Sequence, residues 1–447
     1  MRQRCGVALL LGIASAGCAV QADEQLGTAQ AALTCPPPAI DNRSVVENDP
    51  VALRRFPLAR TLRQLITLSG TPTSVSGLWT QWRNTFVQSC PGPQPCRPQV
   101  QAALAMFDPV TSTAQFEPVA LFNRFDLAPS NGANCGEYRI VYAADQSAGV
   151  GRGFIIFEGR LANPSPFLGI RGCIPVMDFW AELSTIPDAA TRGKHLEEFF
   201  YDGLPGFDPV VHPANYGVPQ AGIRRGQIRT DYFFDGEWNL REFQLRQSNF
   251  CTIGGCPLLV EQVTVKENPS NALFSGTDPA SLAFQASFIG EIPKLSAGRP
   301  SEIAMATPDQ FNTLESNSQN SDMDYDLFAS PAFRAQVEAA SPTFTASELF
   351  LRATTQTCAG CHQLSSNDCL GPGACDLSRT AIRWPDKSER FVHVNEAGTL
   401  SEALLVEFLP FRLKLLAWFL ETACMVQPFP SADPNTTVSG KPLDSPN

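Results

Sequence analysis

The distribution of cysteines limits this chain more than any other feature. Fourteen occur among 447 residues, and four of them crowd into TTQTCAGCHQLSSNDCLGPGAC, from Thr354 to Cys375, where His362 directly follows the second. Cys5 and Cys18 belong to an N-terminal segment of different character, which leaves twelve, an even number. Setting Cys358 and Cys361 aside leaves ten, also even. Parity therefore does not separate a fully disulfide-bonded framework from one in which these two thiols serve another chemistry. Close spacing favours the local pairs Cys90–Cys96, Cys251–Cys256 and Cys369–Cys375, although spacing fixes no connectivity. Disulfides on this scale require an oxidising compartment.

The N-terminus predicts export. Arg2 and Arg4 precede VALLLGIASA, an apolar stretch too short to span a bilayer, so residues 1–22 read as a signal peptide. A lipoprotein-type cut before Cys18 has the small residues of ASAGC in its favour, although Ser15 stands where Leu is usual. An ordinary signal peptidase would instead cut after VQA, at Ala22. The lipoprotein cut is the preferred expectation, and a lipid on Cys18 is then the one membrane attachment the sequence offers. Residues 23–50, polar and rich in small residues and Pro, read as a tether. The expected location is the cell envelope or periplasm, with secretion as the alternative. The formal charge is −11, and −13 once Arg2 and Arg4 are removed, which argues against nucleic acid as a partner.

Residues 51–320 predict a disulfide-stapled α+β domain. LARTLRQLITLSG places Leu58, Leu62 and Leu65 at helical spacing, and Gly70 ends the pattern. VALFNRFDLAP, EYRIVYAA and GFIIFEGRL are rich in Phe, Tyr, Ile and Val and read as strands. TDYFFDGEWNLREFQL reads as a hairpin turning at Asp235-Gly236. MDFWAELS and GKHLEEFFYDGL predict helices crossing the sheet. TLESNSQNSDMDYD reads as a linker. Asp322, Asp324 and Asp326 alternate as in a calcium loop, but its glycine and closing Glu are missing, so a solvated acidic loop is expected. Residues 427–447 read as a disordered tail.

The residues before Cys358 are well organised. Thr345 and Glu348 form a T-x-x-E capping box, with Phe344 and Leu349 placed for a hydrophobic staple, so a helix is expected from about Ala346. It delivers CAGCH near its end. Cys-x-x-Cys-His is the attachment signature of c-type haem: two thiols a helical turn apart bond the vinyl groups while the adjacent imidazole meets the iron.

From about Thr345 to Cys424 the chain resembles a small, mostly helical cytochrome c domain, placed within residues 331–426. The resemblance implies covalent haem c on Cys358 and Cys361, His362 as proximal iron ligand, and a closing C-terminal helix. Leu404, Phe408, Phe411, Leu415 and Trp418 offer that helix an apolar face. The usual Met before the last helix is missing, and Met425 lies beyond it. His393, in RFVHVNEAG, stands where a distal ligand would come, which leaves two-histidine or five-coordinate iron. The rival reading pairs Cys358, Cys361, Cys369 and Cys375 as disulfides, with His362 structural. A zinc knuckle is disfavoured by the C-x5-C spacing of the second pair and by an oxidising compartment.

The expected activity is one-electron transfer at a covalent haem, with the larger domain docking a redox partner or substrate that the sequence does not identify. A non-catalytic envelope lipoprotein with a structural CxxCH is the alternative. A haem enzyme would need an open distal site and an acid–base residue that the sequence does not single out. HLEEF at His195 lacks the second His of a zinc-protease helix, and His212 shows no partner in sequence. Neither a G-x-S-x-G elbow nor a P-loop occurs.

Overall fold

Eight strands form one antiparallel sheet. β1 (Val46–Glu47), β2 (Phe116–Arg124), β3 (Asn134–Ala144), β4 (Arg152–Ala162), β5 (Gln227–Phe234), β6 (Glu237–Gln247) and β7 (Leu258–Val263) lie side by side in chain order, and β8 (Ser316–Asn317) also pairs with β6. The class is α+β, as the composition of these strands leads one to expect. The computed structural model describes residues 35–88, 96–149, 151–218, 226–234, 237–251, 255–317, 321–361, 365–372, 382–385, 393–425 and 436–441. Residues 1–22, expected to be a signal peptide, the Asp235-Gly236 turn and His362 lie outside them. Among the described residues no helix is long and apolar enough to cross a membrane.

Alternation gives the sheet two unlike faces. On one, Leu121, Ile140, Phe157, Ile228 and Phe243 stand in register across β2 to β6. This apolar row is covered by N-terminal and central helices. α1 (Pro50–Leu53), α2 (Leu58–Ser69), α3 (Val75–Asn84) and α4 (Pro98–Ala105) precede β2, while α5 (Ile174–Leu183) and α6 (Ala189–Tyr201) follow β4. Trp82 of α3 meets Phe157 and Phe243 edge-on, while Tyr138 stacks on Trp180 of α5 and meets Phe199 of α6 edge-on. Helix α2 ends where expected, at Gly70, whose φ of 64° is a left-handed conformation that a side chain would disfavour.

α7 (Ala272–Ser275), α8 (Pro279–Leu295), α9 (Tyr325–Phe328), α10 (Pro331–Ala340) and α11 (Ala346–Thr354) gather around Phe274. Its ring meets those of Phe284, Phe288, Tyr325, Phe333 and Phe350. This aromatic cluster seats α11 and therefore the cysteines that follow it. The capping box forms as expected: Glu348 Oε2 accepts the Thr345 N–H at 2.8 Å, and Thr345 Oγ1 accepts the Glu348 N–H at 3.3 Å.

The closing helix is distorted beside Pro410, as a proline inside the run leads one to expect, but buries a different face from the one expected. α12 (Leu409–Cys424) is entered through a π-helical turn, Leu404–Phe408. Pro410 has no N–H, and its ring would strike the carbonyl four residues back, which the wider turn avoids. The wider turn shifts the buried face by about one residue. Leu409, Arg412, Leu416, Phe419 and Leu420 are buried rather than Phe411, Leu415 and Trp418, and Trp418 is 39% exposed.

Disulfides join Cys35 to Cys424, Cys135 to Cys173 and Cys251 to Cys256, the last as spacing favoured. Cys96 and Cys369 are disulfide-bonded too, while Cys90 and Cys375 lie outside the described residues. Leu33–Asn447 make up one compact unit. Val46–Glu47, within the span expected to be a tether, supplies β1 because Val45 and Val46 are buried. In the C-terminal span Thr437 bridges to Pro129, and the Val438 N–H donates to the Ala128 carbonyl.

Candidate functional site

The second face of the sheet is charged and yet buried. In register across it run Arg124, Glu137 and Arg160; then Phe122, Arg139, Glu158 and Gln227; then Val141, Ile156, Arg229 and Glu242; then Phe154, Asp231 and Leu240. Segments 356–361, 393–404 and α12 lie over this face and leave a cavity between. It holds about 1030 Å³ of empty space, its mouth to solvent included. Apolar walls come from Phe122, Val141, Phe154, Ile156 and Trp238.

The charges are arranged as interlocking pairs. Glu158 is fully buried and contacts Arg139 at 3.1 Å and Arg229 at 3.3 Å. Arg229 also reaches Glu242 at 2.9 Å. Burial opposes its charge, but these two carboxylates outweigh burial and hold the guanidinium more firmly protonated. Burial likewise works against ionised Glu137, yet Lys266, Arg139 and Arg160 together keep its carboxyl well below the usual range. Arg124 grips Asp126 with a two-pronged contact at 2.9 and 2.8 Å.

Two carboxyls behave otherwise. Burial pushes Asp231 up to about 7, overriding Arg229 and Arg152, and Asp322 adds to the rise. Asp322 is also pushed up to about 7 by burial, despite hydrogen bonds from Ser321 and from the Ala359 N–H at 3.2 Å. The solvated acidic loop expected around Asp322 is thus overturned: the residue is 0% exposed, because β8 pairs with β6 and draws the following turn inside. Asp231 Oδ1 is buried without a hydrogen-bond partner.

Cys358 and Cys361 lie on a further helical turn after α11. The Gly360 N–H donates to Thr357 Oγ1 at 2.9 Å, and the Trp384 indole donates to the Cys361 carbonyl at 3.1 Å. A Cβ at residue 360 would collide with the Thr354 carbonyl, so the motif's second variable position must be glycine here. Both cysteines line the cavity and neither is in a disulfide, whereas every other described cysteine is. Burial, then Asp231 and Asp322, raise the Cys358 thiol well above its ordinary value.

His393 lines the same cavity. Its carbonyl accepts the Ser401 N–H at 2.8 Å, and the turn beyond it is tied down by Glu396 to Arg152 at 2.5 Å and by the Gly398 carbonyl to Asn48 Nδ2 at 2.9 Å. Met425, the other candidate ligand, is 61% exposed beyond α12. His212 caps a short turn instead, accepting the Ala214 N–H at 3.2 Å.

This donor set fits a covalently held haem. Two thiols a turn apart and an imidazole share one cavity, whose walls are in part apolar and in part lined by charged side chains. Sequence reasoning placed Asp322 in solvent and missed Asp231 and the arginine–carboxylate lattice. Their signal was charge recurring at every second position inside strands that are otherwise apolar, as in QIRTDYFF. Comparisons with protein-family models, curated proteins and solved structures found no match to this chain.

Proposed function

We propose that this protein is an exported, lipid-anchored c-type haem protein that transfers single electrons. Cys358 and Cys361 would carry the haem, His362 would bind its iron, and His393 would be its second ligand. One observation carries the reading: Cys358, Cys361 and His393 line a single cavity, and the two cysteines stand apart from the disulfides that engage every other described cysteine.

The bound group supplies the electron-accepting iron. The chain's own residues hold it. α11 and the Phe274 cluster fix the two cysteines, and the turn at residues 394–400 fixes His393. The larger part of the chain is then free to dock a redox partner.

The test is a pyridine haemochrome spectrum of denatured protein produced with a c-type maturation system. A covalent haem, lost when Cys358 and Cys361 are both changed to Ser, is the expected result. Colourless protein ends the electron-transfer reading.

A further inference from the structure

Charge is out of balance where α12 meets the sheet. Five cationic side chains line the cavity (Arg124, Arg139, Arg229, Lys266, Arg412) against three acidic ones (Glu158, Asp231, Glu242). Behind the wall, Glu137 is accompanied by Arg160 and Asp126 by Lys441, so the excess persists. It is sharpest at Arg412. That side chain is 6% exposed, and its ion-pair contact among the described residues is with Asp126 Oδ1 at 3.8 Å, beyond hydrogen-bond reach. Asp126 is already engaged by the Arg124 fork.

Burial, together with the neighbouring Arg124 and Arg139, presses the Arg412 guanidinium toward its neutral form. Arginine does not give up its proton in proteins, so a buried guanidinium calls for an anionic acceptor. Among the described residues none hydrogen-bonds to it.

We propose that Arg412, with Arg124 and Arg139 beside it, binds a carboxylate entering the cavity. The planar guanidinium fork matches a carboxylate at two points. Phe122, Val141 and Leu404 line the same cavity, so the ligand is a carboxylate on an apolar body. Two sources share that chemistry. One is the pair of propionate side chains on the haem, in which case the inference rests on the reading above. The other is a free small carboxylate, which needs no haem.

The experiment is calorimetric titration with sodium propionate in chloride-free buffer, using full-length protein. Wild type and Arg412→Gln are each prepared with covalent haem and, without the maturation system, lacking it; circular dichroism checks folding. Haemless wild type should bind propionate, and Arg412→Gln should bind it at least about tenfold more weakly. If the haem-loaded wild type refuses propionate that the haemless form accepts, the carboxylate is the haem's own. If both forms bind it, the ligand is a free carboxylate. Absence of binding in a folded haemless chain, or binding that Arg412→Gln leaves unchanged, overturns the proposal. Should the haemless chain not fold, the loaded pair decides. A propionate held by Arg412 ionises at lower pH than in Arg412→Gln, which the pH profile of the Soret band would record. Identical profiles, with no uptake of added propionate, also overturn it. The haemochrome spectrum judges the haem reading separately, so failure of one is not mistaken for failure of the other.

Discussion

Asp231 Oδ2 stands 3.9 Å from Cys358 Sγ, although 127 positions separate the two along the chain. A strand in the middle of the sheet thus places a buried carboxyl directly against the cysteine motif. No feature of either segment alone announces the meeting.

That carboxyl should give stability an unusual pH dependence. Asp231 is raised to about 7, above the value of about 3.9 it has when unfolded. The native state therefore keeps a proton that the unfolded chain releases, and the stability this provides is lost as pH rises toward and through about 7. Asp231→Asn removes the loss. The variant should match wild type at pH 4 and exceed it at pH 8, each unit of displacement being worth about 1.4 kcal/mol. Urea unfolding at the two pH values measures this, and an equal difference at both would sink it.

Arg229 bridges two buried carboxylates, Glu158 and Glu242. Arg229→Met leaves both charges without that cation and should cost about 3–5 kcal/mol. Adding Glu242→Gln should recover part of the loss, because one uncompensated charge is removed with it. Denaturant midpoints of the single and double variants report the coupling.

Under the proposed function, His393→Ala should turn a six-coordinate low-spin spectrum high-spin and let carbon monoxide bind readily. A low-spin spectrum that survives the change would exclude His393 as a ligand.

The Cys35–Cys424 bond closes a loop of 389 residues and fastens α12 to the start of the described chain. Replacing both cysteines by Ser should lower stability by about 2–5 kcal/mol. Comparing unfolding of this variant with wild type in the absence of reductant gives the value.

Local signals in the sequence were reliable where a few neighbouring residues decide the outcome. The Thr345–Glu348 capping box, the stop at Gly70 and the apolar strand segments each depend on contacts within a turn or on strand composition. What sequence does not display is which strands become neighbours. Arg139, Glu158, Arg229 and Glu242 form one lattice only because β3 to β6 lie side by side in this register. Asp322 looked solvated for the same reason, since the pairing of β8 with β6 that buries it is long-range. The Cys-x-x-Cys pair was conspicuous in sequence. The acidic group beside it was not.

The π-helical turn before α12 has a consequence for which changes the cavity can absorb. Leu404 and Arg412 both line it, eight positions apart. In an unbroken helix, at about 100° per residue, they would point roughly 80° apart. The wider turn takes up about one extra residue, which brings the two side chains back into nearly the same direction. Leu405 and Val406, within that turn, are 46% and 59% exposed. Their chemistry is therefore free to vary, and the turn can also lose one residue. Losing either one would leave Leu404 and Arg412 seven positions apart, about 20° apart on a regular helix, so the wall would keep its shape, whereas regular winding at full length would turn Leu404 away from Arg412 and alter the wall without changing a single residue that lines it.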